Sequence, residues 1–370
     1  MKRTNALLTT LLFAAVLFGL ALFAWISPPQ SYSYAERRAL AQKPQLTAKT
    51  VENGTFMSSF DSYSMDQFPA RDGFRSLKAV LARYVFARKD NNGLYSVNGY
   101  VSRLEYPLNE SRMTAAGKKL RQIEDTYLAG TDCTAYLCVI PDKNIVMGSE
   151  SGYPAIDLQQ AVFLVQQQAE IPRVISIEDL LTADDFYRTD QHWRQEAITD
   201  IADRIGSAML GSSFSCRPED YEEKTLEQAF TGAYASQAAL PFAPDTIRYL
   251  TDPVLEACTV TSYNTGVPKE AFVYDLEKAA GKDPYELFLS GSDALLVIEN
   301  PACEEEKELV VFRDSFGSCL VPLLAEGYRK ITVVDLRYLR SEMLSQYIEF
   351  TDQDVLFLYS TLVLNNSIAL

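Results

Sequence analysis

The stretch Leu309-Val-Val-Phe-Arg-Asp-Ser-Phe-Gly-Ser-Cys-Leu320 decides the fold of this chain. It opens with four apolar residues, 309–312, of the kind that fills a strand buried on both faces of a sheet. A helical pattern follows at 317–326, and the alternation then continues with strands at 331–334 and 355–359 around a helix at 341–348. Short apolar strands that alternate with helices predict an α/β fold with a doubly wound, mostly parallel sheet.

The same alternation is present upstream. A helix from Thr114 and a buried strand at 135–140 precede a helix at about 155–170 and a short strand at 174–177. A third helix, opening near Asp190, carries an apolar stripe at intervals of four residues, namely Trp193, Ala197, Ile201 and Ile205. Residues 212 to about 285 are less regular. We interpret them as an insertion with sparse strands inside one domain that spans 45–370.

The N-terminus carries an uncharged apolar run, 6–26, that is long enough to cross a membrane as a helix. The run ends in Trp-Ile-Ser-Pro-Pro at 25–29 rather than in a small-residue cleavage site, so we expect an uncleaved transmembrane signal anchor. The two basic residues before it predict a cytoplasmic N-terminus at 1–5 and an extracytoplasmic remainder, joined by a linker at 27–44. A buried core helix is the alternative, but no polar face interrupts the run.

Composition excludes several classes of function. With 49 acidic and 34 basic residues the chain carries a formal charge of -15, which repels phosphate backbones and argues against a nucleic-acid partner. His192 is the one histidine of the chain, so sites that need two histidines, such as HExxH zinc sites, are excluded. There is no GxGxxG or Walker A motif. We therefore expect neither a metal nor a cofactor.

Six cysteines lie in the part of the chain expected outside the cell, where disulfides are permitted. Their spacings are irregular and contain no CxxC, so the sequence leaves their pairing open. Cys138 and Cys319 stand in apolar segments and read as packed thiols.

The histidine lies in the segment Tyr187-Arg-Thr-Asp-Gln-His-Trp193, two residues after Asp190. A carboxylate at this spacing can hold the Nδ1 proton of His192 and leave Nε2 free as a base. The alternative is that Asp190 only caps the helix expected here, with His192 on its surface.

Ser315 follows a predicted strand and precedes a predicted helix. A serine at the carboxyl end of a parallel strand presents its hydroxyl at the sheet edge where ligands bind, and its own amide and the helix dipole point at an oxyanion there. The alternative is a helix-capping serine. A serine nucleophile needs a base, however, and His192 is the one histidine that can provide it.

The segments Thr189-Asp-Gln-His-Trp193 and Arg313-Asp-Ser-Phe316 together resemble the DHHW protein family. This family is related to alginate O-acetylation proteins with a circularly permuted SGNH-hydrolase-like domain. Further stretches fit the family pattern, namely Glu36-Arg-Arg-Ala-Leu40, Asp66-Gln-Phe-Pro-Ala-Arg71, Asn92-Gly-Leu-Tyr95, Pro141-Asp-Lys143, Phe230-Thr-Gly232 and Val334-Asp-Leu-Arg-Tyr338.

The resemblance implies that Ser315 is the nucleophile, His192 the general base and Asp190 its orienting partner. The chain departs from the family pattern at Gln191, where a second histidine is usual, and at Arg313, where SGNH proteins commonly have glycine before Asp-Ser. Because Arg313 replaces that glycine, we expect the backbone near the oxyanion to be less open.

Two basic residues follow other predicted strands and are candidates for oxyanion or substrate binding at the same edge. They are Arg337, just past 331–334, and Lys143, just past 135–140. Each can instead be a solvated charge at the end of a strand.

These features predict a membrane-anchored, extracytoplasmic enzyme that transfers an acyl group, with acetyl expected, to a cell-surface polysaccharide. The resemblance further implies a polytopic membrane-bound O-acyltransferase as partner, while the acyl donor stays unknown. Two alternatives remain open, a carbohydrate acetylesterase and a scaffold of a polysaccharide machine with a vestigial site. A separation of Ser315 and His192 beyond about 8 Å would favour the scaffold.

Overall fold

The computed structural model describes residues 2–36 and 38–370. Met1 of the expected cytoplasmic N-terminus and Arg37 of the Glu36–Leu40 motif lie outside the described residues. The chain divides into two compact units. Unit 1 comprises Met1–Asn92 and Ala235–Pro241, and unit 2 comprises Gly93–Tyr234 and Phe242–Leu370.

Unit 1 is mainly helical. Its elements are α1 (Lys2–Ile26), β1 (Tyr32–Ser33), β2 (Arg38–Ala39), α2 (Ala48–Glu52), α3 (Thr55–Asp66) and α4 (Arg71–Val80), and α4 runs directly into a π-helical turn, Leu81–Val85. In the described part of the chain, α1 is the one helix whose length and apolar composition suit a membrane span, over Thr4–Ile26. The helix predicted at 6–26 is therefore present.

Unit 2 contains the predicted α/β sheet. Its strands are β3 (Leu94–Val97), β4 (Tyr100–Arg103), β5 (Thr134–Ile140), β6 (Arg173–Val174), β7 (Glu222–Phe230), β8 (Asp245–Thr251), β9 (Thr259–Ser262), β10 (Lys269–Ala271), β11 (Leu295–Glu299), β12 (Glu308–Arg313), β13 (Lys330–Val334) and β14 (Asp354–Ser360). The α-helices that begin in it are α5 (Glu110–Ile123), α6 (Lys143–Ser151), α7 (Leu158–Ala169), α8 (Thr199–Leu210), α9 (Ala233–Ala238), α10 (Pro253–Ala257), α11 (Leu276–Ala279), α12 (Gly317–Leu320) and α13 (Thr361–Asn366).

The central sheet has eight strands in the order β10-β9-β11-β13-β12-β14-β5-β6. In the run β13-β12-β14-β5-β6 every adjacent pair is parallel, whereas β11, β9 and β10 continue the sheet from β13 in antiparallel pairing. β12 lies between β13 and β14, with Val311 paired to Val333 and to Leu356. The α/β fold with a mostly parallel sheet is confirmed.

Side chains of β12 and β14 alternate between two hydrophobic layers, one on each face of the sheet. Val311 and Leu356 belong to one layer, and Phe312 and Phe357 to the other, where their rings stack at 5.0 Å. Each fully buried side chain of this size contributes about 1.5–3 kcal/mol relative to an exposed one. Burial on both faces explains why these strands read as continuous apolar runs.

The prediction that a helix opens near Asp190 is wrong about where the helix begins. Residues 190–194 form a loop, a 3-10 turn follows at Gln195–Ala197, and α8 begins at Thr199. The loop is closed by backbone hydrogen bonds from Tyr187 N to His192 O, 3.1 Å, and from Arg194 N to Asp185 O, 2.7 Å. These bonds satisfy the backbone without a helical turn. Trp193, Ile201 and Ile205 of the apolar stripe are buried and Ala197 is half-buried, although Trp193 precedes the helix.

Other elements also differ from the predicted pattern, and the helix expected at 317–326 is α-helical only over Gly317–Leu320 and continues as a 3-10 helix, Val321–Gly327. The sequence pattern does not predict α6 or β11, and the helix expected at 341–348 is a 3-10 helix, Ser341–Gln346. In the irregular stretch 212–285, β7 pairs with β8 in a separate two-stranded sheet, while β9 and β10 extend the central sheet. In the described part of the chain all six cysteines are free thiols, and burial raises the pKa values of Cys138 and Cys319 to about 12.

Candidate active site

Asp190, His192 and Ser315 meet in unit 2 in a linear hydrogen-bonded arrangement. His192 Nδ1 lies 2.6 Å from Asp190 Oδ1, and His192 Nε2 lies 2.8 Å from Ser315 Oγ. The serine and histidine are 123 residues apart in the chain. Because the carboxylate accepts from Nδ1, Nε2 of neutral His192 is the nitrogen that can accept the serine proton.

The end of β12 sets the position of Ser315. The Asp314 carboxylate accepts hydrogen bonds from the backbone and hydroxyl of Ser360 at the end of β14, 2.7 and 2.6 Å, and from Phe316 N, 3.0 Å. Asp314 therefore ties two neighbouring strand ends together and shapes the turn that carries the serine. Ser315 is partly exposed, whereas Asp314 is buried.

The loop with His192 is fastened to the helical turn that follows Ser315. Trp193 Nε1 donates to Phe316 O at 3.0 Å, and Gln195 Nε2 donates to Cys319 O at 2.7 Å. Both side chains are fully buried. These two bonds keep the histidine loop in register with the serine turn.

The ring of His192 is enclosed by aromatic side chains. Tyr285 stacks on it at 3.9 Å with an angle of 7° between the planes, and Phe316 packs against it at 5.1 Å. Tyr285 also donates from its hydroxyl to Ser315 O, 3.2 Å. His192 is 5% exposed and Asp190 is fully buried, so their hydrogen bond lies in a region of low dielectric where it is stronger than in water.

Asp190 is held from two further directions. Its Oδ2 accepts from Ala233 N at 2.7 Å, at the start of α9. Gly232 approaches it so closely that a Cβ on this glycine would lie 2.4 Å from Asp190 Cβ and 2.5 Å from Thr189 O. The Phe230-Thr-Gly232 motif thus supplies a hydrogen bond and a backbone without a side chain beside the aspartate.

The neighbouring Thr189 is anchored by Asp245 at the start of β8. The Asp245 carboxylate accepts from Arg188 N and from both the amide and the hydroxyl of Thr189, and Thr189 Oγ1 accepts in turn from Gly232 N at 2.9 Å. The aspartate loop and the β7–β8 sheet are therefore held by one hydrogen-bond network.

Lys143 lies behind the loop of Asp190 and does not contact Ser315. Its ammonium donates to four backbone carbonyls, those of Val101, Tyr187, Arg188 and Asp190, at 2.5–3.1 Å. Burial lowers the pKa of Lys143 to about 7, opposed by the charges of Asp190 and Asp245. With all its donors engaged, Lys143 has none left for an oxyanion, and its geometry is that of a clamp on the loop.

Arg337 lies beside the serine-bearing strand end. Ser315 and Arg337 each stand three residues beyond the paired residues Phe312 and Val334 of the parallel strands β12 and β13. The guanidinium is held by Asp335, from Nε at 2.9 Å and from Nη2 at 2.6 Å, and the side chain is 24% exposed. These two bonds to Asp335 fix the orientation of the Arg337 guanidinium at the sheet edge.

Arg313 takes the place of the glycine that commonly precedes Asp-Ser. Its side chain is 1% exposed and directed towards Asp335, 3.7 Å away, and towards Gly291 O, 3.4 Å away. Gly317 makes room for it, since a Cβ there would lie 2.8 Å from Arg313 Cβ. Gln191, at the other departure, places its amide 3.3 Å from His192 Nε2.

Sequence reasoning did not find Tyr285 or Asp245, because each lies far along the chain and no local pattern marks it. Gly232 belongs to the Phe230-Thr-Gly232 segment that fits the family pattern, but the sequence does not indicate that it lies against Asp190. Asp190, His192 and Ser315 were named from the sequence, and the structure brings all three together.

Comparison with known proteins bears on the family and the fold of this chain. The model of the DHHW protein family matches residues 180–334, a region that contains Asp190, His192 and Ser315. The resemblance to this family is confirmed. No curated protein sequence matches the chain.

Solved structures share the fold. PatB1 of Bacillus cereus, determined with a sulfonyl adduct, is 17% identical, with a TM-score of 0.60 over 75% of this chain and 97% of its own. A DHHW family protein of Eubacterium siraeum is 19% identical, with a TM-score of 0.55 over 76% of this chain and 94% of its own.

Proposed function

We propose that this chain is an extracytoplasmic, membrane-anchored enzyme that transfers an acyl group through Ser315, and acetyl is the acyl group that we expect. The observation that carries the proposal is the paired contact of His192, 2.8 Å from Ser315 Oγ and 2.6 Å from Asp190 Oδ1. Nucleophile, base and orienting carboxylate are then all within hydrogen-bond reach. Neither a metal nor a cofactor is needed for this chemistry.

In the first half-reaction His192 Nε2 takes the hydroxyl proton of Ser315 as Oγ attacks the carbonyl carbon of the acyl donor. The leaving group departs with that proton, and the acyl group remains as an ester on Ser315. Asp190 keeps the Nδ1 proton in place and stabilises the imidazolium that forms in between. We assign oxyanion stabilisation to the amide of Ser315, and substrate binding to Arg337 because it lies at the same sheet edge.

In the second half-reaction a hydroxyl group gives its proton to His192 and attacks the carbonyl carbon of the acyl ester. The bond to Ser315 Oγ breaks, and His192 gives the proton to Oγ, which restores the serine hydroxyl. A sugar hydroxyl as acceptor makes the enzyme a transferase, and water makes it an esterase. The resemblance to DHHW proteins and their alginate O-acetylation relatives supports a cell-surface polysaccharide as acceptor and a membrane-bound O-acyltransferase as the source of the acyl group.

The apolar helix α1 supports the anchor, with residues 27–44 as the connection to an extracytoplasmic body at 45–370. A fractionation of cells expressing the full chain, with alkaline extraction and external protease, tests this topology. Release of the chain by alkali, or its full resistance to external protease, contradicts it.

Hydrolysis of p-nitrophenyl acetate by the full chain in detergent tests the chemistry. We expect Ser315→Ala and His192→Ala to lose activity by about 10³-fold or more, whereas Ser213→Ala, an exposed serine in a 3-10 turn, keeps it. Equal rates in all four proteins would contradict a role for Ser315 and favour a scaffold.

A covalent probe makes the test independent of turnover. Because PatB1 has been captured with a sulfonyl adduct, we expect phenylmethylsulfonyl fluoride to modify Ser315 in this chain. Peptide mass spectrometry locates the modification, and the label must disappear in Ser315→Ala and slow in His192→Ala. Supplying a hydroxylated oligosaccharide then separates the two reactions, since a transferase yields an O-acetylated sugar and an esterase yields acetate alone.

A further inference from the structure

Unit 1 carries an apolar cleft that the proposed chemistry does not use. The cleft has a volume of 640 Å³ and lies along α4 and the π-helical turn Leu81–Val85. The residues that line it include four apolar side chains and two basic ones, namely Phe74, Leu77, Leu81, Phe86, Lys78 and Arg88.

Large apolar side chains of α4 and of the turn that follows it are exposed. Leu77 is 54% exposed and Phe86 71%, and the adjoining Tyr84 and Val85 are 72% and 64% exposed. A contiguous exposed apolar patch of this kind marks an interaction site. Exposed aromatic and aliphatic side chains next to lysine and arginine are the composition of helices that lie in a membrane interface.

The charge of the segment is opposite to that of the chain. Residues 71–89 contain six basic residues and one acidic residue, whereas the whole chain carries -15. Lys78 and Arg88 of the cleft are both exposed. A basic apolar segment on an acidic protein is complementary to an anionic lipid surface.

Unit 1 also holds α4 near the end of α1. Gln30, four residues after the last residue of α1, exchanges two hydrogen bonds with Gln67 just after α3, at 2.8 and 2.9 Å. Four residues of chain span at most about 14 Å. Arg71, the first residue of α4, pairs with Glu36 of the same connecting segment at 2.6 Å. If α1 spans the membrane, α4 therefore begins close to the membrane surface.

We propose that this cleft binds an anionic phospholipid of the outer leaflet, with an acyl chain against Phe74, Leu77, Leu81 and Phe86 and the phosphate on Lys78 and Arg88. The site gives the chain a second contact with the membrane, and the proposal rests on the anchoring by α1 proposed above. Electrostatic attraction to an anionic surface strengthens binding by about fivefold for each basic residue.

The test uses the full chain reconstituted in vesicles of phosphatidylcholine alone or with about 30% phosphatidylglycerol. Flotation with both kinds of vesicle tests the anchor, and hydrogen–deuterium exchange of peptides covering 74–91 tests the lipid site. We expect slower exchange in the vesicles with phosphatidylglycerol, and a loss of this difference when salt is raised from about 0.1 to 0.5 M.

The double variant Lys78→Glu/Arg88→Glu should float like the wild type and lose the lipid-dependent protection. The matched control Lys118→Glu reverses an exposed lysine on α5 and should retain the protection. Both variants should keep p-nitrophenyl acetate hydrolysis, which serves as a check of folding.

Flotation with equal exchange in the two kinds of vesicle would overturn the lipid site and leave the anchor intact. A chain that does not float would instead contradict the anchor. Protection that persists in the double variant, or that requires an added membrane protein, would also overturn the proposal, the latter in favour of a protein partner.

Discussion

Gly232→Ala is expected to disable the site by displacing Asp190, without replacing Asp190, His192 or Ser315. The added Cβ would lie 2.4 Å from Asp190 Cβ, 2.5 Å from Thr189 O and 2.6 Å from Asp190 Cα. Ordinary van der Waals contact begins at 3.4 Å, so the two backbones must separate by about 1 Å. None of these contacts is the end of a flexible side chain that could turn away.

A displacement of this size breaks the geometry on which His192 depends. Asp190 Oδ1 is 2.6 Å from His192 Nδ1 and Oδ2 is 2.7 Å from Ala233 N, so a movement of Asp190 lengthens both bonds. A misplacement of about 1 Å can reduce the rate about 10²-fold, and overpacking of a close contact costs about 1–3 kcal/mol of stability. We expect both effects, with the fold retained.

The assay is the initial rate of p-nitrophenyl acetate hydrolysis, accompanied by thermal unfolding followed by circular dichroism. Gly73→Ala is the matched control, since a Cβ at Gly73 meets nothing within 4 Å and the residue lies inside α4. The control should keep its rate and keep or slightly raise its unfolding temperature, because alanine is the better helix former. A Gly232→Ala protein with wild-type rate and stability would refute the reasoning, because the close approach to Asp190 would then carry no constraint.

Three further perturbations test the framework around the site. Lys143→Met removes the ammonium that holds the Asp190 loop and leaves its carbonyl partners unpaired. We expect the rate of hydrolysis to fall at least about tenfold and the free energy of unfolding to fall by about 1–3 kcal/mol. An unchanged rate together with unchanged stability would refute this role of Lys143. Asp314→Ala removes the hydrogen bonds to Ser360, and the free energy of unfolding measured in urea should fall by about 3 kcal/mol. A decrease of less than about 1 kcal/mol would contradict the structural role of Asp314. Burial, reinforced by a hydrogen bond with Asp252, raises the pKa of Glu326 from 4.5 to about 7. The folded state therefore holds this proton more tightly, so its stabilising contribution is full below about pH 4.5 and is lost as pH rises to about 7. Between about pH 4.5 and 7 the unfolding temperature of Glu326→Gln should therefore fall less with rising pH than that of the wild type. The same dependence on pH in both proteins would contradict the raised pKa of Glu326.

Much of the fold was predictable because its signals are local. β12, β13 and β14 are buried on both faces, and their apolar runs stand out against the polar turns between them. The parallel pairing follows from the helices that alternate with these strands. β9 and β10 lack such runs, and their antiparallel addition to the sheet edge was not predictable from composition.

The loop at 187–193 shows the limit of the same reasoning. Trp193 is spaced from Ala197, Ile201 and Ile205 as in a helix, yet it is buried from a loop, where its ring nitrogen donates to Phe316 O. Periodicity reports which residues are buried, and it does not distinguish a helix from a loop whose side chains are held by a distant part of the chain.

The sequence by itself singled out Asp190, His192 and Ser315 as candidates, since the chain has one histidine, a carboxylate two residues before it and a serine after an apolar strand. Only the tertiary structure decided that Lys143 clamps the aspartate loop and that Tyr285 covers the imidazole. The physical reason is that residue type and spacing are properties of a short segment, whereas these contacts join segments about 50 to 100 residues apart and form only when the whole sheet has brought them together.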